Sequence, residues 1–264
     1  MRAHKDQITD AATKKAWEEN WAEVDVAKIL EIFSYPRVKR QVALFKEFLP
    51  KDKPILEGGC GLGPYVIYFR KHGYNLIGTD YNHSPLQKIN AYDKTIPVFC
   101  SDVTRLPLAD NSMGGYLSLG VIEHFTEGPE AAIQEAYRVL ASQGSFIVVV
   151  PQRSILHLAK YPLQCLKRST IVSRLCKKQQ RQYYWEQYFK VKDLRKIFEK
   201  HGFIVIKVLP IDQDHSLVSF ASCFRDKKSF DNANKTALWL SRTILERFFP
   251  WSTASGVVFF CRKA

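Results

Sequence analysis

Apolar residues along this chain recur at two spacings, and the alternation between them predicts its elements. Between residues 8 and 32, Ala16, Trp17, Trp21, Val24, Val26, Ile29, Leu30 and Ile32 fall at mixed helical intervals among charges, predicting one or two amphipathic helices. Ser34-Tyr35-Pro36 supplies a cap and a first-turn proline for another helix over about 36–48. Ile55-Leu56 then opens a short strand that breaks into glycines. Residues 62–72 predict a helix stopped by His72-Gly73, Tyr74 to Asp80 a second strand, Ser84 to Tyr92 a short helix, and Thr95 to Ser101 a third strand. Residues 104–115, with Pro107, Asp110, Asn111 and paired glycines, read as a turn-rich connection to a fourth strand beginning at Leu117. Gly128-Pro129-Glu130 starts a helix through about Leu140, and Ser142-Gln143-Gly144 turns into Phe146 to Val150. A strand apolar at every position is covered on both faces, as in the middle of a parallel sheet. Strand and helix in this order specify an α/β, doubly wound, mostly parallel sheet.

The alternation lapses after Pro151. The stretch to Phe189 is too long for a plain connection and is expected to fold as inserted helices. It carries Lys167, Arg168, Arg174, Lys177, Lys178 and Arg181, then Tyr183, Tyr184, Trp185, Tyr188 and Phe189. Basic residues merging into aromatics suit a phosphate and a stacked ring, or an anionic bilayer. Val191 to Lys200 predicts a helix and Ile204 to Leu209 a sixth strand. Residues 210–233 read as irregular, Lys235 to Phe249 as an amphipathic helix whose apolar face packs in the core, and Gly256 to Cys261 as the last strand. Trp17 and Trp21 share one helix face, for which core packing is the leading expectation and a wall of the ligand site the second.

Composition narrows the class. With 46% hydrophobic and 25% charged residues the chain is an ordinary globular one, and no apolar run approaches the roughly 18–20 residues of a membrane span. The charged first 33 residues hold no signal-peptide core, so a cytoplasmic protein is expected, with peripheral attachment to the inner membrane as an extension. The six cysteines, at 60, 100, 165, 176, 223 and 261, form no C-x-x-C pair, which fits reduced thiols better than a disulfide frame or a zinc site; no metal is expected. Charge is uneven. Residues 1–150 hold 17 Lys and Arg against 18 Asp and Glu, whereas residues 151–264 hold 22 against 8. The rear half carries the whole excess of +13, which suits an anionic partner or a solvated basic face.

The chemistry concentrates at Ile55-Leu56-Glu57-Gly58-Gly59-Cys60-Gly61-Leu62-Gly63, where glycines let backbone press against a ligand. A dinucleotide site would place a third glycine where Pro64 stands, and a carboxylate at the strand tip repels a pyrophosphate while suiting an ammonium or sulfonium charge. E-x-G-x-G-x-G after a first strand resembles motif I of the class I S-adenosylmethionine-dependent methyltransferases. The resemblance runs on through Tyr74 to Asp80, Val98 to Val103, Leu117 to Phe125, and Arg138 to Pro151, covering roughly residues 53–151. Met113-Gly114-Gly115 and Ser142-Gln143-Gly144-Ser145 depart from the family pattern at two turns.

The resemblance implies a Rossmann-like, seven-stranded fold with helices 1–48 as an N-terminal cap, a methyltransferase domain over 49–264, and a substrate-side insertion at about 151–190. It implies S-adenosylmethionine as cofactor, held by Glu57, Gly58, Gly59, Gly61, Gly63, Asp80, Tyr81, Asp102, Val103, Gly120 and Glu123. Asp80 stands where the family places its acid for the ribose hydroxyls, and Asp102 where it meets the adenine amino group. A hydroxyl acceptor needs a base, and His124, at the cleft after the fourth strand, is the leading candidate, with shaping the site as its first role. His157 and Tyr184 are further catalytic candidates, and Arg153 and Tyr183 could orient the acceptor. The expected reaction is methyl transfer to a hydroxyl or similar group of a small-molecule, glycan or lipid-linked acceptor, anionic if the basic half selects it. An RNA methyltransferase and a non-enzymatic module binding RNA or membrane are the alternatives. Nucleic acid is the disfavoured partner, peripheral membrane contact stays open, and nothing in the residues sets an oligomeric state.

Overall fold

A computed structural model describes residues 10–22, 24–159, 186–227 and 232–264. They divide into two compact units, the first drawn from 1–150, 183–208 and 258–264, the second from 151–182 and 209–257.

The first unit is built on a seven-stranded sheet in the order β3-β2-β1-β4-β5-β7-β6. The strands are β1 (Ile55–Gly58), β2 (Leu76–Asp80), β3 (Val98–Cys100), β4 (Met113–Leu119), β5 (Leu140–Pro151), β6 (Phe203–Ile211) and β7 (Gly256–Lys263). From β3 through β2, β1 and β4 to β5 every neighbouring pair is parallel. Helices α4 (Pro64–Lys71), α5 (His83–Tyr92) and α6 (Glu130–Val139) are the crossovers, preceded by α1 (Asp10–Ala22), α2 (Val26–Ile29) and α3 (Pro36–Phe48). The chain travels outward from β1 to β3 and then restarts on the other side at β4. The carboxyl ends of β1 and β4 therefore flank a topological switch point, where open α/β sheets bind ligands. All four residues of β1 are buried, as a strand flanked on both edges requires. From β5 onward, Phe146 lies tilted at 4.8 Å from Phe203, and Phe198 meets Phe259 edge-on at 5.2 Å, closing the core.

In the second unit a helix Gln213–Phe220 and a helix Lys235–Leu240 share a small core of Leu217, Val218, Ala233 and Ala237, against which Leu156, Phe224, Leu238, Leu240 and Leu245 pack. Among the described residues no helix is long and apolar enough to cross a membrane.

Four expectations are corrected. Residues 113–115 are not connection but the start of β4, because Gly115 lies flat between Ile55 and Ser145 in the parallel ladder. β5 begins at Leu140 rather than after the turn, pairing with Met113 before Gln143 takes φ of 61° and the register shifts. Residues 213–220 are helical, not irregular, since Leu217 and Val218 are buried there. The segment 235–249 is not one helix with its whole apolar face in the core. A wide turn at Ser241–Leu245 offsets its phase, and Trp239, Phe248 and Phe249 end up 61%, 63% and 54% exposed.

Candidate active site

Glu57 is the third residue of β1, and its carboxyl is buried with it. Burial pushes its pKa up to about 8; the Val66 backbone hydrogen bond opposes that and the charge of Asp80 adds to it. Its Oε2 has no hydrogen-bond partner. The chain then turns through Gly59 at φ +72° and Gly61 at φ +53°, a region that penalises any residue with a Cβ. Space forbids one as well: a Cβ on Gly59 would lie 2.5 Å from Val121, and one on Gly61 2.6 Å from Trp21. The Gly59 and Cys60 N–H groups both donate to the Thr79 carbonyl, at 2.8 and 2.9 Å, so the turn is stitched to β2.

Asp80 ends β2 and lies almost wholly buried. Its Oδ2 accepts the Gly61 N–H and its Oδ1 the Asn82 N–H, each at 2.9 Å. Burial raises its pKa, and those two donors oppose the rise. Each carboxylate oxygen has a second lone pair, and Asp80 lines the cavity described below. On the next loop Asp102 Oδ1 accepts the Thr104 N–H and hydroxyl, both at 2.8 Å, which fixes the turn that presents Ser101 and Val103.

The mouth is aromatic. Trp17 and Trp21 stack at 5.4 Å, and Trp17 meets the His124 ring edge-on at 5.4 Å. α1, which carries both indoles, is held by Lys88 of α5: its ammonium donates to the carbonyls of Trp21, Ala22 and Val24 at 2.6, 2.8 and 3.0 Å. A lysine closing the open carbonyls of a helix C-terminus also meets the negative end of its dipole. Glu123 is buried beside His124, with Oε1 3.9 Å from its Nε2; burial pushes the Glu123 pKa to about 8, and its Oε2 has no hydrogen-bond partner.

These parts enclose one cavity of about 660 Å³ at the β1/β4 switch point. Glu57, Gly59, Asp80, Tyr81, Asp102, Val103, Gly120 and His124, each expected from sequence, all line it. Trp17 and Trp21, neither of them in the buried core, line it too, against the leading expectation of core packing. Gly58, Gly61 and Gly63 shape the turn rather than the wall, with Gly58 against the Tyr116 ring and Gly63 against Ile89, and Glu123, also expected to hold the cofactor, is buried beside His124 without lining the cavity. His157 does not line the cavity; it sits exposed on a helical stretch at 155–159 in the second unit. Tyr184 and Tyr183 lie outside the described residues. The Leu117–Phe125 stretch brings Val121 and Phe125 to the wall, whereas sequence reading missed Ile29, Tyr65 and Lys88; for Lys88 no local signal exists, since its partners stand more than sixty positions away.

Comparison with known proteins agrees with this geometry. A family model described as a methyltransferase domain matches residues 56–148. A protein of Mycolicibacterium smegmatis, named a probable S-adenosylmethionine-dependent methyltransferase, is 29% identical over 38% of this chain and 39% of its own. A tRNA (carboxymethyluridine(34)-5-O)-methyltransferase of Arabidopsis thaliana is 35% identical over 42% of this chain and 27% of its own. The matched region thus spans well under half the length of either relative. A solved SAM-dependent methyltransferase from Methanosarcina mazei superposes with a TM-score of 0.58 over 83% of this chain and 96% of that one, at 15% identity, and so shares the fold. The glycine turn, the acids Glu57 of β1 and Asp80 of β2 and the β4 turn all fall within residues 56–148, the region similar to a methyltransferase domain, and the chain shares the fold of solved SAM-dependent methyltransferases.

Proposed function

We propose that this protein transfers the methyl group of S-adenosylmethionine to a hydroxyl or similar nucleophile of a small-molecule, glycan or lipid-linked acceptor. The observation that carries the reading is a buried carboxyl, Glu57, with an unpartnered oxygen, facing the same cavity as the carboxylate of Asp80. Those groups fit a ligand that is cationic at one end and carries vicinal hydroxyls in the middle. When bound, the sulfonium supplies an electrophilic methyl carbon. Asp80 would accept the ribose hydroxyls with its remaining lone pairs, Asp102 and Val103 would hold the edge and face of the adenine, and Glu57 would offset the positive charge. Trp17, Trp21 and Phe125 keep water from the mouth and restrict the acceptor's approach, which for methyl transfer supplies much of the acceleration. The His124 imidazole, its ring oriented by the edge contact with Trp17, is the group placed to take the acceptor's proton.

A tRNA acceptor is the second reading, favoured by the similarity to the Arabidopsis tRNA methyltransferase and by the excess of +14 in residues 151–264. Methyl-labelled S-adenosylmethionine, incubated with the protein and separately with lipid extract, small-metabolite extract and tRNA, tests the choice. Label in the lipid or metabolite fraction is expected. Label in tRNA alone would replace the acceptor, and no cofactor binding by calorimetry would leave only a non-enzymatic module.

A further inference from the structure

The second unit presents a surface that its own core does not explain. Along residues 235–252 the side chains of Leu238, Leu240 and Leu245 turn inward onto the Leu217, Val218 and Ala237 core. On the outside stand Trp239, Ile244, Phe248, Phe249 and Trp251, between 37% and 63% exposed. Monomeric soluble proteins rarely gather so many large apolar side chains on one short stretch. The exposed charges interleaved with them are Lys235, Arg242 and Arg247, and the Arg247 guanidinium lies 5.5 Å above the Phe248 ring. The segment's one carboxylate, Glu246, is half-buried and accepts the Ser241 hydroxyl at 2.8 Å. The outward face is therefore aromatic and cationic with no exposed anion. The unit to which it belongs holds 14 Lys and Arg against 5 Asp and Glu in sequence.

We propose that this face docks on an anionic lipid bilayer. Indole and phenyl rings settle at the boundary between headgroups and acyl chains, where an apolar body and a polar edge are both satisfied. Arginine and lysine beside them gain from the negative surface potential and can bury their stems while keeping their charges among headgroups. A nucleic-acid partner would want a longer track of cations with rings set between them. Here five apolar side chains, one of them the aliphatic Ile244, outnumber three cations. A face carrying only like charges also discourages a second copy from pairing with it.

The test uses the full chain and vesicles of phosphatidylcholine with or without about 30% phosphatidylglycerol, read by co-sedimentation. Binding to the anionic vesicles is expected and should weaken as salt rises. Arg242→Gln with Arg247→Gln should lower the partition coefficient roughly tenfold or more. Trp239→Ser with Phe248→Ser should lower it as far on both vesicle types. Quenching of tryptophan fluorescence by brominated lipid should fall in Trp239→Phe. Far-UV circular dichroism and the thermal transition of the full chain are the control for folding, and if the double serine variant fails that control Trp239→Ser alone decides. Absence of vesicle binding overturns the proposal, as does binding that these substitutions leave unchanged. So does a patch-dependent dimer seen by light scattering in place of lipid binding, or a patch-dependent complex with tRNA in place of it.

Discussion

A glutamate shut inside a parallel sheet keeps its proton to a pH at which surface carboxylates lost theirs long before, and at Glu57 that has consequences for binding and for stability. Its pKa of about 8 in the ligand-free protein means that a cationic ligand must expel a proton to meet a carboxylate. Affinity for S-adenosylmethionine should therefore climb between pH 6 and 8 and level above. Calorimetry at pH 7 in buffers of different ionisation enthalpy should show close to one proton released. In Glu57→Gln the pH dependence should flatten and affinity fall roughly 10- to 100-fold, the value of one or two charge-assisted contacts. The stability prediction has the opposite sign. The folded pKa lies above the ordinary 4.5, so the folded protein binds more protons between those values and loses stability as pH rises from 4.5 to about 8. Glu57→Gln removes that loss, and its melting temperature should overtake that of the natural protein as pH approaches 8.

Asp80 tests the same pocket from the other side, and its substitution is not a clean deletion of ribose contacts. Because the carboxylate also accepts the Gly61 and Asn82 N–H groups, Asp80→Ala should weaken cofactor binding by roughly 1–3 kcal/mol and also destabilise the fold by a similar amount. Calorimetry and urea unfolding on the same variant separate the two effects. An unchanged affinity would move the ribose site elsewhere.

At the scale of elements, the lid of the pocket depends on one lysine. Lys88 closes three carbonyls at the end of α1 and is the point at which α5 fixes the helix that carries Trp17 and Trp21. Lys88→Met keeps the aliphatic stem and removes the donors. Amide exchange in the last turn of α1 should quicken and cofactor affinity should fall several-fold, with the melting temperature lowered only modestly because the main sheet is untouched. Unaltered exchange would mean the indole stack holds α1 unaided. This contact also marks what could be read from sequence. The parallel strands were legible because each is a short apolar run between turn residues, and β1, β2 and the glycine turn fell in place with their acids. Gly114 and Gly115 looked like a turn, since glycine's need for close approach in a strand shows only when Ile55 and Pro50 are seen packed on Gly115. Helical spacing told that Trp17 and Trp21 share a face but not that the face covers Gly61 and meets His124. In 235–249 the apolar period is real. The wide turn at Ser241–Leu245 rotates its two halves against each other, and no local composition announces that turn.

Across the first unit as a whole, the last strand in the chain is tied to the segments around β4 and β5 by a buried ammonium. Lys263, near the end of β7, donates to Asn111 Oδ1 and to the carbonyls of Tyr137 and Leu140 at 2.8, 2.8 and 2.7 Å, with the Tyr137 ring 4.4 Å away. It thereby gathers the end of α6, the start of β5 and the loop before β4. Burial pushes its pKa down, and the charge of Asp110 opposes that. Lys263→Met would leave three acceptors turned toward a space without a donor, and should cost about 3 kcal/mol in urea unfolding. Lys263→Arg, whose longer, planar head fits a three-point site made for an ammonium poorly, should recover only part of that. None of the contacts reaches the cavity, so cofactor affinity measured well below the unfolding midpoint should not change. A loss below about 1 kcal/mol would mean that water replaces the ammonium at these acceptors, and that the strand ladder and phenylalanine packing of β7 keep it in the sheet without the ammonium.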